Sequence, residues 1–353
     1  MSKAAICVVV PVYKAMATLD RCVESVLAQQ VEGGLTCILV DDGSPDESGA
    51  LCDAWAAKDG RVTVIHQDDL GVSGARNSGL AAADSEFIVF LDSDDALRPG
   101  ALQAALTAQR AAPQDFVVWH YTTDEKDPAA VTADAEPRTQ AGLARLWLDC
   151  LLAMPWNKLY RADLAKQLQF DVQYTLGEDL QFVLDYIALL GQTVPEFGYR
   201  VMTSPLTFYD CSHGGTLSTR YHANYCDIWP KHFAKLNAAC HAAACPAEDM
   251  RPLHRAELQV FAEGVADIMR RDPSPTQRLK GYKAEAALRS PWLRALLERM
   301  KIEHCYSAYY LPCRWRNVGL VCRVDEARRA NAPLYGKLDW AGYYLLLGRM
   351  RRD

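Results

Sequence analysis

The sequence predicts a mixed α/β domain built on a mostly parallel central sheet, followed by a helical C-terminal region. Short apolar runs at 6–10, 36–40 and 87–91 are rich in β-branched residues, as buried parallel strands are. Segments with helical periodicity separate these runs, and strands that alternate with helices usually form parallel sheets. Beyond residue 221 the periodicity is helical alone.

The individual elements follow from the same two patterns. Apolar, β-branched or aromatic runs predict strands, and a repeat of about 3.6 residues predicts helices. The domain at 1–220 has predicted strands at 6–10, 36–40, 62–66, 87–91 and 116–121, with helices at 18–30, 46–58 and 72–83. The mainly helical region at 221–353 has amphipathic segments at 258–271 and 292–301.

Length and composition fit one large globular domain or two moderate ones. The 353 residues are half apolar, but no apolar run reaches the roughly 20 residues that span a bilayer. A net charge of −6 argues against a nucleic-acid binder. The 12 cysteines form no C-x-x-C pair, so free thiols are expected, and not disulfides or structural zinc. The N-terminus lacks a secretory cleavage site, and we expect a cytoplasmic protein.

Three carboxylates follow a predicted buried strand at one point, in the run EFIVFLDSDD. Ligands of open α/β sheets bind beyond the carboxyl ends of the strands. Asp92 and Asp94 are close enough to share a hard divalent cation such as Mg²⁺ or Mn²⁺. The competing interpretation is an acidic N-cap on the next helix, with Pro99 at its start.

Two other strand ends carry groups that suit a nucleobase. The first strand continues into Pro11, Val12 and Tyr13, and the second ends in Asp41 and Asp42. An aromatic face can stack on a base, and a carboxylate can accept a hydrogen bond from a ring N–H. The alternative is an ordinary turn, because Asp-Gly-Ser-Pro is common turn and cap chemistry.

Motifs for other nucleotide-binding proteins are missing. The sequence has neither G-x-G-x-x-G nor G-x-x-x-x-G-K-[ST], which removes the main support for dinucleotide and P-loop proteins. Arg76 lies in the helix before the acidic strand, where it could bind a phosphate, lock a carboxylate or simply be solvated.

Five collinear blocks resemble those of the family 2 glycosyltransferases. They are VVVPVYKAMATLDRCVESVLAQQ, ILVDDGSPDESGALCDAWA, VIHQDDLGVSGARNSGLAAADSEFIVFLDSDDAL, PWNKLYRADL and GEDLQFVLDYI. The resemblance implies a GT-A type nucleotide-diphospho-sugar transferase fold, with a nucleotide half at 1–120 and an acceptor half at 121–220. It also implies an inverting, metal-dependent enzyme that moves a hexose or N-acetylhexosamine from a UDP-sugar to a glycan or lipid-linked oligosaccharide, in cell-surface polysaccharide synthesis.

The resemblance assigns residues to the nucleobase. Tyr13 would stack on or border the uracil, with Pro11 and Val12 beside it. Asp42 would accept from the uracil N3–H, while Asp41 would be structural or near the ribose.

The resemblance also assigns residues to the diphosphate and the metal. Asp92, Ser93 and Asp94 match the D-x-D motif, in which Asp94 would ligate Mn²⁺ or Mg²⁺. Asp92 would contact the ribose or a metal-bound water. Arg76 would lie near the diphosphate or the acidic cluster, and Asp95 would cap a helix.

On the acceptor side, Asp179 would be the general base and Glu178 would orient the acceptor. Trp156, Asn157 and Lys158 would form the floor. An acidic helix N-terminus is the alternative account of Glu178 and Asp179, because a helix dipole favours acids there.

The segment after the last strand departs from the family pattern. Asp210 stands where the family usually has an arginine, so a diphosphate contact there is in doubt. His213, in a loop with two glycines, is either an extra metal or phosphate ligand or an exposed loop histidine.

The C-terminal region is the basic part of the chain. Residues 291–353 carry twelve Lys or Arg against six Asp or Glu, and aromatic residues are interleaved with the basic ones. This composition suits peripheral contact with an anionic membrane, at the inner face of the cytoplasmic membrane where a lipid-linked acceptor would lie. A packed helical subdomain with a solvated basic face is the competing interpretation.

Other protein classes fit less well. A dehalogenase-type phosphatase would have Thr or Val where Ala96 stands, and a nucleotidyltransferase would have a glycine-rich loop where PVYKAMATLD has no glycine. A non-catalytic nucleotide-sugar-binding or partner-binding pseudoenzyme is the remaining alternative. Loss of Asp94 or Asp179 would mark such a protein, and both are present.

Overall fold

The computed structural model describes residues 3–174, 176–212, 220–331 and 335. The chain divides into two compact units, residues 1–214 and 215–353, whereas the sequence placed the division after residue 220. Within the described residues, a nine-stranded sheet forms the centre of the first unit. Its strands are β1 (Ala4–Val12), β2 (Leu35–Asp42), β3 (Val62–Gln67), β4 (Ser85–Phe90), β5 (Ala96–Leu97), β6 (Phe116–Thr122), β7 (Ala135–Thr139), β8 (Lys158–Arg161) and β9 (Gly198–Phe208).

The sheet has the order β3-β2-β1-β4-β8-β6-β9-β5, and β7 also pairs with β9. The strands β1 to β4 pair in parallel, which confirms the prediction for this part of the chain. In contrast, β8 runs antiparallel to both β4 and β6. Because Val12 pairs with Asp41 and Asp42 pairs with Gln67, the ends of β1, β2 and β3 meet at one edge of the sheet.

Seven α-helices accompany the strands in the described part of the first unit. The first helix ends at Leu27, earlier than the predicted end at residue 30, because the chain turns there to support a later helix. The Gln29 side chain donates to the carbonyl of Arg98 and accepts from the backbone N–H of Leu102. The helices are α1 (Leu19–Leu27), α2 (Ser48–Lys58), α3 (Gly71–Ala82), α4 (Ala101–Ala111), α5 (Leu143–Leu148), α6 (Ala162–Ala165) and α7 (Glu178–Thr193).

Helix α3 lies unusually close to the sheet, because Gly79 faces β1 and β2. A Cβ atom at this position would lie 2.3 Å from Val9 Cγ1 and 3.2 Å from Val40 Cγ2. Ala75 and Leu80 of the same helix are also buried. This close packing fixes the position of Arg76, which lies one turn before Gly79.

Aromatic rings hold α7 against the sheet. The ring of Phe90, at the end of β4, contacts Tyr160, Phe170 and Phe182 edge-on, with centroids 5.6, 5.2 and 5.7 Å away. Phe170 and Phe182 stack on each other at 4.0 Å. Such edge and stacking contacts favour one mutual orientation of the rings. They therefore place the first turn of α7 near the end of β4.

The second unit is helical in its described part. Its helices are α8 (Tyr225–Ala242), α9 (Ala247–Arg271), α10 (Gln277–Leu288), α11 (Pro291–Ile302), α12 (Tyr310–Arg314) and α13 (Val318–Arg329). The predicted segments 258–271 and 292–301 lie within α9 and α11. The long helix α9 packs against α8, α10, α11 and α13.

The described helices include none that is both long and apolar enough to cross a bilayer. About half of residues 314–352, in the basic C-terminal region, lie outside the described residues. Contact with an anionic membrane therefore stays a prediction, which liposome flotation would test.

The close packing at Gly79 predicts a specific loss of stability. We expect Gly79→Ala to destabilise the protein by about 1–3 kcal/mol, because its new methyl group overlaps Val9. Gly281→Ala is the control, since Gly281 lies in α10 and, apart from its chain neighbours and its own helix backbone, no atom lies within 4 Å of the place its new methyl group would take. That control should be neutral or stabilise by up to about 1 kcal/mol. Chemical denaturation followed by circular dichroism would measure both, and equal stability of the two variants would contradict the packing argument.

Candidate active site

The predicted nucleotide-side residues meet beyond the carboxyl ends of the parallel strands. Asp42 is the last residue of β2, and the acidic run 92–95 follows β4. Arg76 reaches this edge from α3, and Asp179 reaches it from the first turn of α7. Four elements that are distant in sequence therefore contribute to one site.

Arg76 is the buried centre of the site. Its side chain is only 4% exposed, and it forms ion pairs with Asp92 and Asp179. Nη2 donates to Asp92 Oδ1 at 2.8 Å, and Nη1 donates to Asp179 Oδ1 at 2.7 Å. The guanidinium also lies 5.4 Å from the ring centre of Phe170. Burial alone would lower the pKa of Arg76, but the two carboxylates raise it, so the group is a permanent cation. The alternative of a solvated helix arginine is therefore wrong.

The carboxyl group of Asp179 has a pKa near neutral pH. Burial raises its pKa to about 7, with Glu178 and Asp92 acting in the same direction and Arg76 opposing them. The side chain is nevertheless 30% exposed, so a bound molecule can reach it. Asp179 is the second residue of α7, directly after Glu178, and Gly177, with a φ of +77°, is the N-cap of the helix. Glu178 and Asp179 therefore do form the acidic helix N-terminus that was the alternative account of these two residues. That position is compatible with a role in catalysis.

Four carboxylates gather beyond the end of β4. Asp95 is fully buried, and its Oδ1 accepts from the backbone N–H of Asp210 at 3.0 Å. Among the described residues, its Oδ2 has no hydrogen-bond partner. Burial, and then the charges of Asp92, Asp94 and Asp210, raise the pKa of Asp95 to about 9. A cation would relieve this repulsion, and carboxylate oxygens are the ligands that Mg²⁺ and Mn²⁺ prefer. The donor set therefore fits the predicted divalent metal.

The expectation that Asp95 caps a helix was wrong. The next helix, α4, begins at Ala101, and its N-cap is Gly100 with a φ of +78°. Asp95 lies several residues earlier and binds the backbone of Asp210. The alternative account of the acidic run as an N-cap of α4 is wrong for the same reason.

Arg21 holds Asp210, the residue that stands where the family usually has arginine. The Arg21 side chain donates to Asp210 Oδ2 at 2.5 Å and to the backbone carbonyl of Asp94 at 2.6 Å. Although burial alone would raise it, hydrogen bonds from Ser212 and Arg21 hold the pKa of Asp210 below its usual range. Arg21 thus brings a positive charge to the acidic cluster from α1. Sequence reasoning missed this residue, because no motif marks it.

A nucleobase site was predicted at the ends of β1 and β2, and hydrogen bonds connect this part of the sheet edge. Asp42 is 3% exposed, and its Oδ1 accepts from Gln67 Nε2 at 2.6 Å and from the Leu70 N–H at 3.0 Å. The backbone N–H of Lys14 donates to Ser44 Oγ at 3.3 Å, which ties the turn after β1 to the turn after β2. Tyr13, in the first of these turns, is 44% exposed. An accessible ring therefore lies on a turn that is linked to the strand end carrying Asp42.

Asp41 has a structural role, because its carboxylate binds neighbouring protein groups. Its Oδ2 is 2.9 Å from His66 Nδ1, and its Oδ1 accepts from the Ser44 N–H at 3.2 Å. Burial alone would raise the pKa of Asp41, but hydrogen bonds from Ser44 and His66 lower it. Asp41 therefore stabilises the turn that follows β2.

The predicted acceptor floor, Trp156, Asn157 and Lys158, is buried. Asn157 Nδ2 donates to the Trp119 carbonyl, and Lys158 Nζ donates to the Leu151 carbonyl at 2.7 Å. Trp156 is 3% exposed. These side chains support the site from within the protein, and a direct contact with an acceptor stays a prediction.

The sequence reasoning placed Tyr209 next to Asp210 in the segment that resembles the family pattern, but it gave Tyr209 no role. Tyr209 stacks on Trp156 with ring centres 5.4 Å apart and planes 18° apart, and Tyr121 meets both rings edge-on. Tyr121 and Tyr209 are partly exposed. Stacked rings with an accessible side are common in sites that bind sugars. The signal for Tyr209 in the sequence would have been an aromatic residue beside the segment that resembles the family pattern. His213 lies outside the described residues, and its role as a ligand stays a prediction.

Residues 7–169 match the family model described as Glycosyl transferase family 2. The chain carries a family 2 glycosyltransferase domain. Glycosyltransferase GlyG of Streptococcus pneumoniae serotype 4 (strain ATCC BAA-334 / TIGR4) is 39% identical over 124 residues, which are 35% of this chain and 41% of GlyG. The uncharacterized glycosyltransferase EpsJ of Bacillus subtilis (strain 168) is 30% identical over 187 residues, or 50% of this chain and 54% of EpsJ.

These curated relatives match over only part of their length. The chain spans about half, or less, of each of the first relatives. The similarity is therefore that of a shared domain.

Solved structures share the fold over nearly the whole chain. S. aureus TarS 1-349 in complex with UDP-GlcNAc has a TM-score of 0.61 at 17% identity, and the match covers 93% of this chain and 92% of the TarS 1-349 chain. The mannosyltransferase PcManGT from Pyrobaculum calidifontis, in complex with GDP-Man and Mn²⁺, has a TM-score of 0.50 at 17% identity and covers 90% of this chain and 87% of PcManGT. At this identity the likeness establishes the GT-A fold.

The buried position of Arg76 predicts a large effect on stability. We expect Arg76→Met to destabilise the protein by about 3–5 kcal/mol, because it leaves Asp92 and Asp179 close together without their cation. The loss should be smaller at pH 5 than at pH 8, because protonation of Asp179 below its pKa of about 7 removes one of the two charges. Denaturant unfolding at both pH values would measure it.

Arg61→Met is the matched control for this experiment. Arg61 pairs with Asp59, but the pair is largely at the surface, and such pairs contribute about 0–1 kcal/mol. If the two variants lose the same stability, Arg76 does not hold the site together.

Proposed function

We propose that this chain is an inverting, metal-dependent glycosyltransferase that uses a UDP-sugar donor. The proposal rests mainly on two ion pairs of Arg76. One is with Asp92 of the D-x-D motif and the other is with Asp179 on α7. One buried cation thereby joins a donor-side carboxylate to a carboxylate with the pKa of a base. This is the arrangement that a transfer between two bound substrates needs.

The donor side of the proposal rests on Tyr13 and Asp42. The accessible ring of Tyr13 offers a stacking face for uracil, and Asp42 offers an acceptor for its N3–H. TarS has been solved with UDP-GlcNAc, which supports a UDP-sugar, whereas PcManGT has been solved with GDP-Man. A test of the donor therefore needs sugars of both nucleotides.

Asp94 and Asp92 are the residues that we propose to hold the metal. Asp95 supports them from the interior, and Arg21 positions the backbone of Asp94. A bound Mn²⁺ or Mg²⁺ would neutralise the charge that develops on the departing nucleoside diphosphate. The repulsion among these carboxylates, and the binding of Mn²⁺ in PcManGT, support this assignment.

Asp179 is the group that we propose to take the proton. Inverting transfer needs one base to remove the proton of the acceptor hydroxyl while that oxygen attacks the anomeric carbon. Arg76 fixes one oxygen of Asp179, so the carboxylate has a defined orientation while part of it stays accessible. Glu178 precedes it in the first turn and is proposed to orient the acceptor.

The acceptor is proposed to be a glycan or a lipid-linked glycan in cell-surface polysaccharide synthesis, at the cytoplasmic side of the membrane. Tyr121, Trp156 and Tyr209 form an aromatic cluster that suits the apolar face of a sugar ring. Relatives include GgaA of Bacillus subtilis (strain 168), described as a minor teichoic acid biosynthesis protein, at 36% identity over 102 residues. That match covers 28% of this chain and 23% of GgaA.

Release of the nucleoside diphosphate tests the proposed reaction. With Mn²⁺ and a panel of UDP-sugars and GDP-mannose, we expect slow donor hydrolysis for one UDP-sugar, and its loss with EDTA. Asp94→Ala should reduce turnover by about 100-fold or more, because charge stabilisation of a leaving group is a dominant catalytic contribution. Asp124→Ala, a surface control, should behave as wild type. Absence of turnover and of binding for all donors would favour the non-catalytic alternative.

The pKa of Asp179 predicts the pH dependence of transfer. Because a base acts only when deprotonated, kcat/KM should fall about tenfold per pH unit below the pKa of about 7. Asp179→Asn should lower kcat strongly and abolish this acidic limb. Asp185→Asn, the other aspartate of α7, is the control and should keep the limb. A limb that survives in Asp179→Asn would assign the base elsewhere.

A further inference from the structure

A polar cluster lies inside the helical unit, in a region to which the glycosyltransferase motifs assign no role. His254 of α9 is 1% exposed, and its Nδ1 is 2.6 Å from Glu303 Oε2. Cys305 Sγ lies 3.5 Å from the same oxygen. One ligand atom from each of the three residues lies within 4.8 Å of the other two. Nitrogen, oxygen and sulfur atoms that can bind a metal therefore converge on one point.

The turn after α11 places Glu303 and Cys305 next to His254. His304 has a φ of +53°, and its N–H donates to the Lys301 carbonyl. The Cys305 N–H donates to the Met300 carbonyl, which completes a Schellman turn at the helix end. This turn places Glu303 and Cys305, on either side of His304, against the same face of His254.

Two groups, Asn237 and Arg299, face the Nε2 nitrogen of His254. The Asn237 amide nitrogen donates to the Phe233 carbonyl and to Glu257 Oε1, so its oxygen faces His254. That oxygen is 3.0 Å from His254 Nε2 and also accepts from Arg299 Nη1 at 3.2 Å. The Asn237 oxygen can only accept, so it pairs with Nε2 when that nitrogen carries a proton. Arg299 Nη1, 3.3 Å from Nε2, can only donate, so it pairs with Nε2 when that nitrogen carries none.

A proton on Nδ1 would be donated to the Glu303 carboxylate. With the proton on Nε2, the lone pair of Nδ1 faces that carboxylate at 2.6 Å. Two acceptors at this distance repel each other unless a proton or a metal cation lies between them. A second proton on His254 is disfavoured, because Arg299 Nη1 lies 3.3 Å from Nε2. A cation bound between Nδ1, the carboxylate and the thiolate would satisfy the lone pair of Nδ1.

We propose that His254, Glu303 and Cys305 bind a divalent metal of the Zn²⁺ class inside the helical unit. Ligands of Zn²⁺ lie about 2.0–2.3 Å from the ion, so tetrahedral ligand atoms are roughly 3.3–3.6 Å apart. The Glu303 to Cys305 distance of 3.5 Å already fits, and the His254 to Glu303 distance would open by about 0.7 Å. The bond from His254 Nε2–H to Asn237 is the kind of contact that orients metal-binding histidines.

The charges and the access route also fit a bound dication. The Glu303 carboxylate and a Cys305 thiolate would together balance a 2+ ion. Glu303 is 28% exposed, which leaves a path for the ion and a fourth position for water. Binding through the Cys305 thiolate releases the thiol proton to solvent. Affinity should therefore increase with pH.

Co²⁺ replaces Zn²⁺ in such sites and reports a thiolate ligand through a charge-transfer absorption band. The untagged full-length chain, freed of metal by a chelator, would be titrated with Co²⁺ and then with Zn²⁺. We expect one equivalent of Co²⁺ to produce the band and Zn²⁺ to abolish it. Asp94→Ala should keep the band, because the carboxylates proposed for the glycosyltransferase site supply no thiolate.

Matched variants assign the ligands. Cys305→Ser should lose the band, while Cys313→Ser, at another buried cysteine of this unit, should keep it. Glu303→Gln and His254→Gln should weaken Co²⁺ binding at least tenfold, and the partly exposed Glu303→Gln serves if the buried variants fail to fold. No stoichiometric band in wild type would overturn the proposal and leave a protonated His254–Glu303 pair. A band that survives in Cys305→Ser would overturn it as well.

Discussion

The first unit depends on the burial of one positive charge. Arg76 lies between Asp92, beyond the end of β4, and Asp179, at the start of α7, and it contacts little solvent. A buried cation needs partners, and the partners need it, because each carboxylate alone would be an uncompensated charge. The close packing of α3 at Gly79 and the aromatic cluster around Phe90 hold these groups in place. The proposed donor and acceptor sides are therefore positioned by the same interaction that stabilises the domain.

The second unit also buries polar groups, but their partners are of a different kind. His254, Glu303 and Asn237 form a buried polar network in which the amide of Asn237 has only one orientation that satisfies its neighbours. Burying such groups is unfavourable unless all of them are paired. In the first unit an arginine supplies the missing charge, and in the second we infer a metal ion. Both units thus place charge in the interior where it restricts geometry.

Much of the first unit could be predicted from local patterns. The strands around Val8, Val40 and Val89 were recognised because apolar, β-branched runs are characteristic of buried strands. The antiparallel β8 was not predicted, because its few residues, starting at Lys158, carry no clear period. The helix that was expected to run to residue 30 ends at Leu27, since Gln29 is needed to satisfy backbone groups at the start of α4. Tertiary hydrogen bonds decided that boundary.

The sequence by itself determined the parallel half of the sheet, the acidic D-x-D run at a strand end and, through the collinear motifs, the glycosyltransferase family. These features are local, so neighbouring residues encode them. Only the tertiary structure decided that Arg76 is buried between two carboxylates, that Asp95 binds the backbone of Asp210, and that Arg21 joins the acidic cluster. It also brought His254 to Cys305, although the sequence has no C-x-x-C signal for a metal. Such contacts join residues far apart in the chain. The pKa shifts of these residues arise only once the fold removes their side chains from water.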